Sequence, residues 1–179
     1  MAYVIGTDLC FGFPGTISSH ADEVSTSRAL KSDSDPVPFG SPVALNNDGT
    51  VSKFGAGHTA DNFAGFAKRK VKQARSFEEE QFGKYYPSEM VDILERGSMS
   101  VLCPTGTPTA GGAVYIRVLA HDTADFQNAQ VGDIEAVADS VTAENVTTNY
   151  NILIPNCRFK CGKDSNNVTE ITIIERQGV

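Results

Sequence analysis

The chain has no tryptophan, and aromatic residues make up only 8% of its 179 positions. Without indole rings a surface stacks poorly on sugars, which counts against a glycan-binding role. Long apolar runs are missing as well: none approaches the roughly 20 residues that cross a bilayer as a helix. The start, Met1-Ala2-Tyr3-Val4-Ile5-Gly6-Thr7-Asp8, carries neither a basic region nor an apolar core, so no secretory signal is expected. Positive charge is scarce, with 15 Lys and Arg against 22 Asp and Glu and a formal net charge of −7. That balance argues against a general nucleic-acid binder, whose phosphate contacts need a cationic face.

Cysteine is sparse: Cys10, Cys103, Cys157 and Cys161. A chain of this length buries enough apolar surface to fold without staples, and the four read as free thiols in a reducing cytosol. Cys157 and Cys161 form the one close pair. Structural zinc sites usually join two such clusters, and the second is missing, while His20, His58 and His121 lie far apart. No metal and no cofactor is expected.

Signatures of catalysis are missing too. The phosphate loop GxxxxGK[ST], a GxGxxG after a strand and the nucleophile elbow GxSxG do not occur. Residues 106–112 are glycine-rich but lack the lysine and the helix that phosphate binding needs. His121-Asp122 is the best acid–base fragment. Adjacent strand residues point to opposite faces, so a polar strand end entering a loop is the better account. Glu78-Glu79-Glu80 reads as a solvated acidic turn, because consecutive helical residues do not converge on one point. The chain is therefore read as a non-enzyme.

What is present is alternation with a period of two. In Ala113-Val114-Tyr115-Ile116-Arg117-Val118-Leu119, one strand face takes Val114, Ile116 and Val118. Met99, Val101 and Cys103 alternate with Ser98 and Ser100, after a less regular run over residues 90–96 that meets Gly97. Thr169, Ile171 and Ile173 share a third such face, and Asn151-Ile152-Leu153-Ile154 and Arg158-Phe159-Lys160 read as short strands separated by Pro155-Asn156. Asn46-Asn47-Asp48-Gly49 predicts a hairpin, since these residues tolerate positive φ. Residues 104–112 and Lys163-Asp164-Ser165-Asn166-Asn167 predict further loops between strands. Helical signals are thin: Ser76 with Glu79 makes a capping-box pattern that Gly83 and Pro87 soon end. Residues 21–35 have no apolar stripe and read as polar loop or arm. Asn145-Val146-Thr147 and Asn167-Val168-Thr169 match a glycosylation sequon, but with no export signal they read as Thr-rich strand segments.

These patterns predict an all-β fold, a sandwich or jelly-roll-like barrel of short antiparallel strands with an extended N-terminal arm. The arm is residues 1–35 and the β-rich body residues 36–179, with a division into two small lobes near residue 83 left open. Lys68-Arg69-Lys70-Val71-Lys72 is the strongest charge run. On a strand Lys68, Lys70 and Lys72 share a face, suited to docking on an acidic protein surface or to guarding an exposed edge.

Several segments occur in a fixed order. Phe11-Gly12-Phe13-Pro14-Gly15-Thr16-Ile17-Ser18 comes first, then Val37-Pro38-Phe39-Gly40-Ser41-Pro42-Val43, the Asn-Asp-Gly turn and Phe63-Ala64-Gly65-Phe66-Ala67. Tyr85-Tyr86-Pro87, Val91-Asp92-Ile93-Leu94-Glu95-Arg96-Gly97, Gly111-Gly112-Ala113-Val114-Tyr115-Ile116-Arg117 and Ile171-Thr172-Ile173 follow. In this order they resemble the structural cement, or capsid decoration, proteins of tailed bacteriophages. The cysteines and Glu78-Glu79-Glu80 depart from that pattern. The resemblance implies a protein that binds the outer surface of the expanded head and tethers neighbouring major capsid subunits against internal DNA pressure, without catalysis or cofactor. It implies the phage major capsid protein as partner, and a homo-oligomer, dimer or trimer, at a capsid symmetry axis. Nucleic acid and membrane are not expected partners, and the protein is expected on the virion after synthesis in the host bacterial cytoplasm. Capsid contacts are expected from Phe11, Phe13, Pro14 and Arg28 on the arm and from Lys68, Lys70 and Lys72. Two other classes remain open. A phage tail or receptor-binding component would form an elongated trimer. A jelly-roll metal-dependent enzyme would need clustered ligands, and no H-x-H pair is present.

Overall fold

The computed structural model describes residues 12–70, 83–121, 123, 124, 126, 129–143 and 146–175. Strands dominate: β1 (Ile17–Ala29), β2 (Val37–Pro38), β3 (Pro42–Leu45), β4 (Val51–Lys53), β5 (Phe63–Ala67), β6 (Lys84–Tyr85) and β7 (Met90–Leu102) come first. They are followed by β8 (Ala113–Arg117), β9 (Ile134–Glu135), β10 (Ser140–Ala143), β11 (Val146–Asn149), β12 (Asn151–Phe159) and β13 (Val168–Ile173). A single 3-10 turn, Ala60–Asn62, is the helical structure among the described residues. None of their helices is long and apolar enough to cross a membrane.

The main sheet runs β4-β3-β5-β7-β13-β12-β8-β9, antiparallel throughout, with β1 added beside β7. β7 is its hub. Ile93 and Leu94 pair with β1 on one edge and β5 on the other, while Ser98 and Met99 pair with β1 and β13. β1 therefore takes one edge of β7, and β5 and β13 share the opposite edge end to end. The sheet curls into a half-barrel, so the all-β sandwich-or-barrel expectation is borne out. The curl brings the two ends of the path together: a Cβ on Gly132, just before β9, would lie 3.0 Å from the carbonyl oxygen of Phe54, just after β4.

Two apolar clusters lie on the two faces of this sheet. Neighbouring residues divide between them: Ala44, Phe66 and Leu94 join the first cluster, and Val43, Ala67 and Ile93 the second. The first lines the inside of the curl with Val114, Ile116, Ile154, Ile171 and others, and contains the predicted faces of Val114, Ile116 and Val118 and of Met99, Val101 and Cys103. The second lies under the small β2–β6 sheet, with Val37 and Tyr85 facing Val91 and Ile93. Both clusters draw on residues from either side of position 83.

Strict alternation would put Leu94 and Met99 on opposite faces, yet both lie in the first cluster. Gly97, at φ +119, resets the parity between them. Gly65, at φ +143, does the same for Phe63 and Phe66, and a Cβ there would overlap the Leu94 carbonyl oxygen. These paired glycine bulges let the strands bend without turning their apolar faces outward.

Some local expectations change. Residues 21–35, expected as polar loop, contribute most of β1, a strand whose pairing with β7 skips across residues 19–24. Polar side chains masked this strand, because one edge and much of its surface remain exposed. Segments 90–96 and 98–103 are one continuous strand, and so are 151–154 and 158–159, with a register shift at Pro155-Asn156. The Asn-Asp-Gly hairpin forms as expected, with Gly49 at φ +81 and Thr50 N–H donating to Asp48 Oδ1 at 2.9 Å. Glu78-Glu79-Glu80, Ser76, Cys10 and Asp122 lie outside the described residues.

Candidate functional site

Among the described residues β1 pairs only with β7, which leaves its other edge without a strand partner. Polar contacts hold its other side. Thr26 Oγ1 donates to Glu95 at 2.5 Å and Ser27 Oγ to Asp92 at 2.5 Å. Arg96 Nε pairs with Asp22 at 2.8 Å, and Lys68 pairs with Glu23. The Lys68 and His20 hydrogen bonds pull the Glu23 carboxyl from its ordinary 4.5 down to about 2. For Asp92, burial pushes the pKa up, but hydrogen bonds from Ser27 and Lys70 outweigh it and hold the carboxyl below its ordinary value.

Two segments that carried the resemblance meet at the start of β1. Gly15 N–H donates to the Ser100 carbonyl at 2.7 Å, and Arg69 N–H donates to the Gly15 carbonyl at 2.7 Å. Gly15 and Gly40 are packed back to back: a Cβ on Gly40 would lie 2.8 Å from Gly15 N and 2.9 Å from Pro14 Cβ. Pro14 is half-buried there. Phe13 is 65% exposed, with the Arg69 guanidinium 4.6 Å from its ring centroid.

Phe13 and Pro14 thus lie at the start of β1, whereas Lys68 reaches Glu23 and Ser25 near its middle and Lys70 reaches Asp92, the partner of Ser27. Lys70 Nζ is 3.0 Å from Asp92, so both lysines are paired with carboxylates of the same molecule. Lys68 N–H continues the ladder to Asp92 O at 2.7 Å, so Lys68 lies on a paired edge. Arg28 sits apart, near the other end of β1, with Nη1 3.4 Å from the Gly49 carbonyl. Phe11 and Lys72 lie outside the described residues.

A second polar assembly was not foreseen. Arg117 is fully buried on the face of β8 opposite Ile116, with Nε 2.6 Å from Glu135 and Nη2 2.9 Å from Asp139. Asn151 Nδ2 donates to Glu135 at 2.5 Å and to the Val137 carbonyl at 2.8 Å, and its Oδ1 accepts from Asp139 N–H at 2.9 Å. His121 Nδ1 lies 2.9 Å from both Asp139 oxygens, and its ring stacks on Tyr150 at 3.9 Å. Each of the three guanidinium nitrogens of Arg117 donates to an acceptor in this group. It closes the base of the β10–β11 hairpin, which begins directly after Asp139 and ends directly before Tyr150. Period-two reading puts Arg117 on the non-core face, but it does not say that other chain segments cover that face.

Burial pushes the Cys103 thiol up to about 11 and the Cys157 thiol up to about 12, which makes both poor nucleophiles. Cys103, Cys157 and Cys161 are free. Among the described residues no three His, Cys, Asp or Glu side chains converge as a metal site.

A family model described as the XM1 gp53 minor capsid protein matches residues 2–173. Among solved structures, a chain from the capsid of Myoviridae phage XM1 superposes with a TM-score of 0.65 at 14% sequence identity. The match covers 98% of this chain and 97% of that one. No curated protein matches.

Proposed function

The chain belongs to the XM1 gp53 minor capsid protein family and has a structural role in a phage capsid, and on that premise we propose that the role is cementing. The protein docks on the outer surface of the expanded head and ties neighbouring major capsid subunits together. β1 carries this reading. A strand of 13 residues spans about 40 Å, and its open edge can accept a strand from a capsid subunit through backbone hydrogen bonds. Phe13, Pro14 and Arg28 flank that edge and supply side-chain contacts. Lys68 and Lys70 support it from behind through Glu23 and Asp92. Self-association around a capsid symmetry axis would multiply modest contacts into a firm hold.

The test is co-sedimentation of the purified protein with expanded heads that lack it, beside unexpanded proheads. Saturable binding to expanded heads, with a raised temperature of DNA release, is the expected result. A folded protein that binds neither form would overturn the proposal.

A further inference from the structure

The β10–β11 hairpin is unlike the rest of the molecule. All eight of its strand residues are exposed. It pairs with no other strand among the described residues. Cross-strand partners are Ser140 with Asn149, Val141 with Thr148, Thr142 with Thr147 and Ala143 with Val146. Residues opposite one another share a face, so the hairpin is amphipathic. Ser140, Thr142, Thr147 and Asn149 form a polar face, where the Thr142 and Thr147 hydroxyls are 3.0 Å apart. Val141, Ala143, Val146 and Thr148 form the other, with Val141 42% and Val146 65% exposed.

Single exposed valines are ordinary on a protein surface. Here, among the described residues, no strand covers the apolar side of a whole supersecondary unit. The eight residues carry no charge, in a chain where 21% of residues are charged. Loss of charge is what distinguishes the centre of protein interfaces from the remaining surface. An isolated two-stranded hairpin is at best marginally stable in water. This one is held at its root, where Tyr150 N–H donates to the Asp139 carbonyl at 2.9 Å and the Asp139 carboxylate is clamped by Arg117 and His121. The result is a projecting arm about 13 Å long with a fixed base and an uncovered apolar side.

Size decides among the occupants. A stable pair of proteins buries about 800 Å² on each side, from some 20–30 residues. Four side chains on one face fall well short, so two free copies cannot be held together by this contact alone. The arm suits a partner that already holds the body elsewhere, where the second contact acts at high effective concentration. We infer that the β10–β11 arm is a clasp that lays Val141, Ala143 and Val146 on an uncharged apolar patch of a neighbouring capsid subunit. This rests on the cement reading and adds to it a second foothold, separate from β1.

The test uses the full chain and expanded heads. V141D/V146D places two charges on the apolar face, and S140D/T147D places the same two on the polar face. The expected result is binding at least tenfold weaker for V141D/V146D, near-wild-type binding for S140D/T147D, and the same thermal unfolding midpoint for all three proteins. If both variants bind like wild type, or both weaken equally, the clasp is wrong and the cement reading stands. Should wild type fail to bind heads, the cement reading falls and takes the clasp with it. If wild type instead self-associates in sedimentation velocity and only V141D/V146D does not, the occupant is a second copy, and the capsid patch is refuted.

Discussion

The interior of the curled sheet and the β10–β11 hairpin follow one sequence rule and end in opposite environments. Along β8, Val114 and Ile116 point into the first apolar cluster; along β10, Val141 and Ala143 point into solvent. Both are amphipathic strands with a period of two. What separates them is the supply of partners: six other strands of the sheet contribute to the cluster that the β8 face joins, and among the described residues none closes over the β10 face. Amphipathicity therefore marks a surface to be covered without saying whether the covering belongs to the same chain. In a capsid protein that gap is informative, because neighbouring subunits are the proposed source of the missing layer.

The contrast can be broken or sharpened by mutation. The largest effect is expected inside the curl: Phe66→Ala removes a fully buried ring packed 5.0 Å from Phe63 and should cost about 3–5 kcal/mol in chemical denaturation. A loss below about 1 kcal/mol would mean that the first cluster is not the stabilising core. Next comes the root of the arm. Asn151→Ala strips Glu135 and Asp139 N–H of a buried partner, and about 1–3 kcal/mol should be lost. Amide exchange in β10 and β11 should then speed up before that in β8 and β13. Uniform acceleration would show that the clamp serves the body as a whole.

The smallest effect concerns β1. Glu23 and Asp92 both titrate below their ordinary values in the folded chain, so the stability they add is present above those values. It is lost as the pH falls through the folded values, toward about 2 for Glu23. On acidification from about 4.5 to 2, exchange protection in β1 should fall before protection in the β7–β13 pairing. Glu23→Gln should reproduce part of the loss at neutral pH, by about 1 kcal/mol, since solvent screens a pair this near the surface. Unchanged β1 protection down to pH 2 would show that backbone pairing alone holds the strand.

Much of the fold is legible in the residues. The faces of Val114, Ile116 and Val118 and of Met99, Val101 and Cys103 follow from alternation, and the β3–β4 hairpin follows from Asn-Asp-Gly. β1 is not legible in the same way. Its Ser, Thr and charged residues are satisfied by side chains of β7 and by Lys68, which are distant in sequence, so no apolar period announces the strand. The ordered segments around Phe13-Pro14-Gly15 and Phe39-Gly40 were visible as motifs, yet nothing local says that Gly15 and Gly40 touch. Lys68 and Lys70 read as a basic run, and only packing shows Glu23 and Asp92 beside them. Val146 and Thr147 of the sequon lie on strand β11, without any sign in the sequence that this strand stands clear of the body.

By itself, then, the sequence determined an acidic all-β chain whose strands alternate with turn chemistry, because side-chain period and backbone φ preference are local properties. Tertiary structure decided which of those strands find a covering layer. The Gly65 and Gly97 bulges turn Phe66, Leu94 and Met99 into one interior, Arg117 is sealed beneath the arm, and β1 and the β10–β11 hairpin keep open edges and faces. That choice depends on contacts between residues far apart along the chain, which no local pattern encodes.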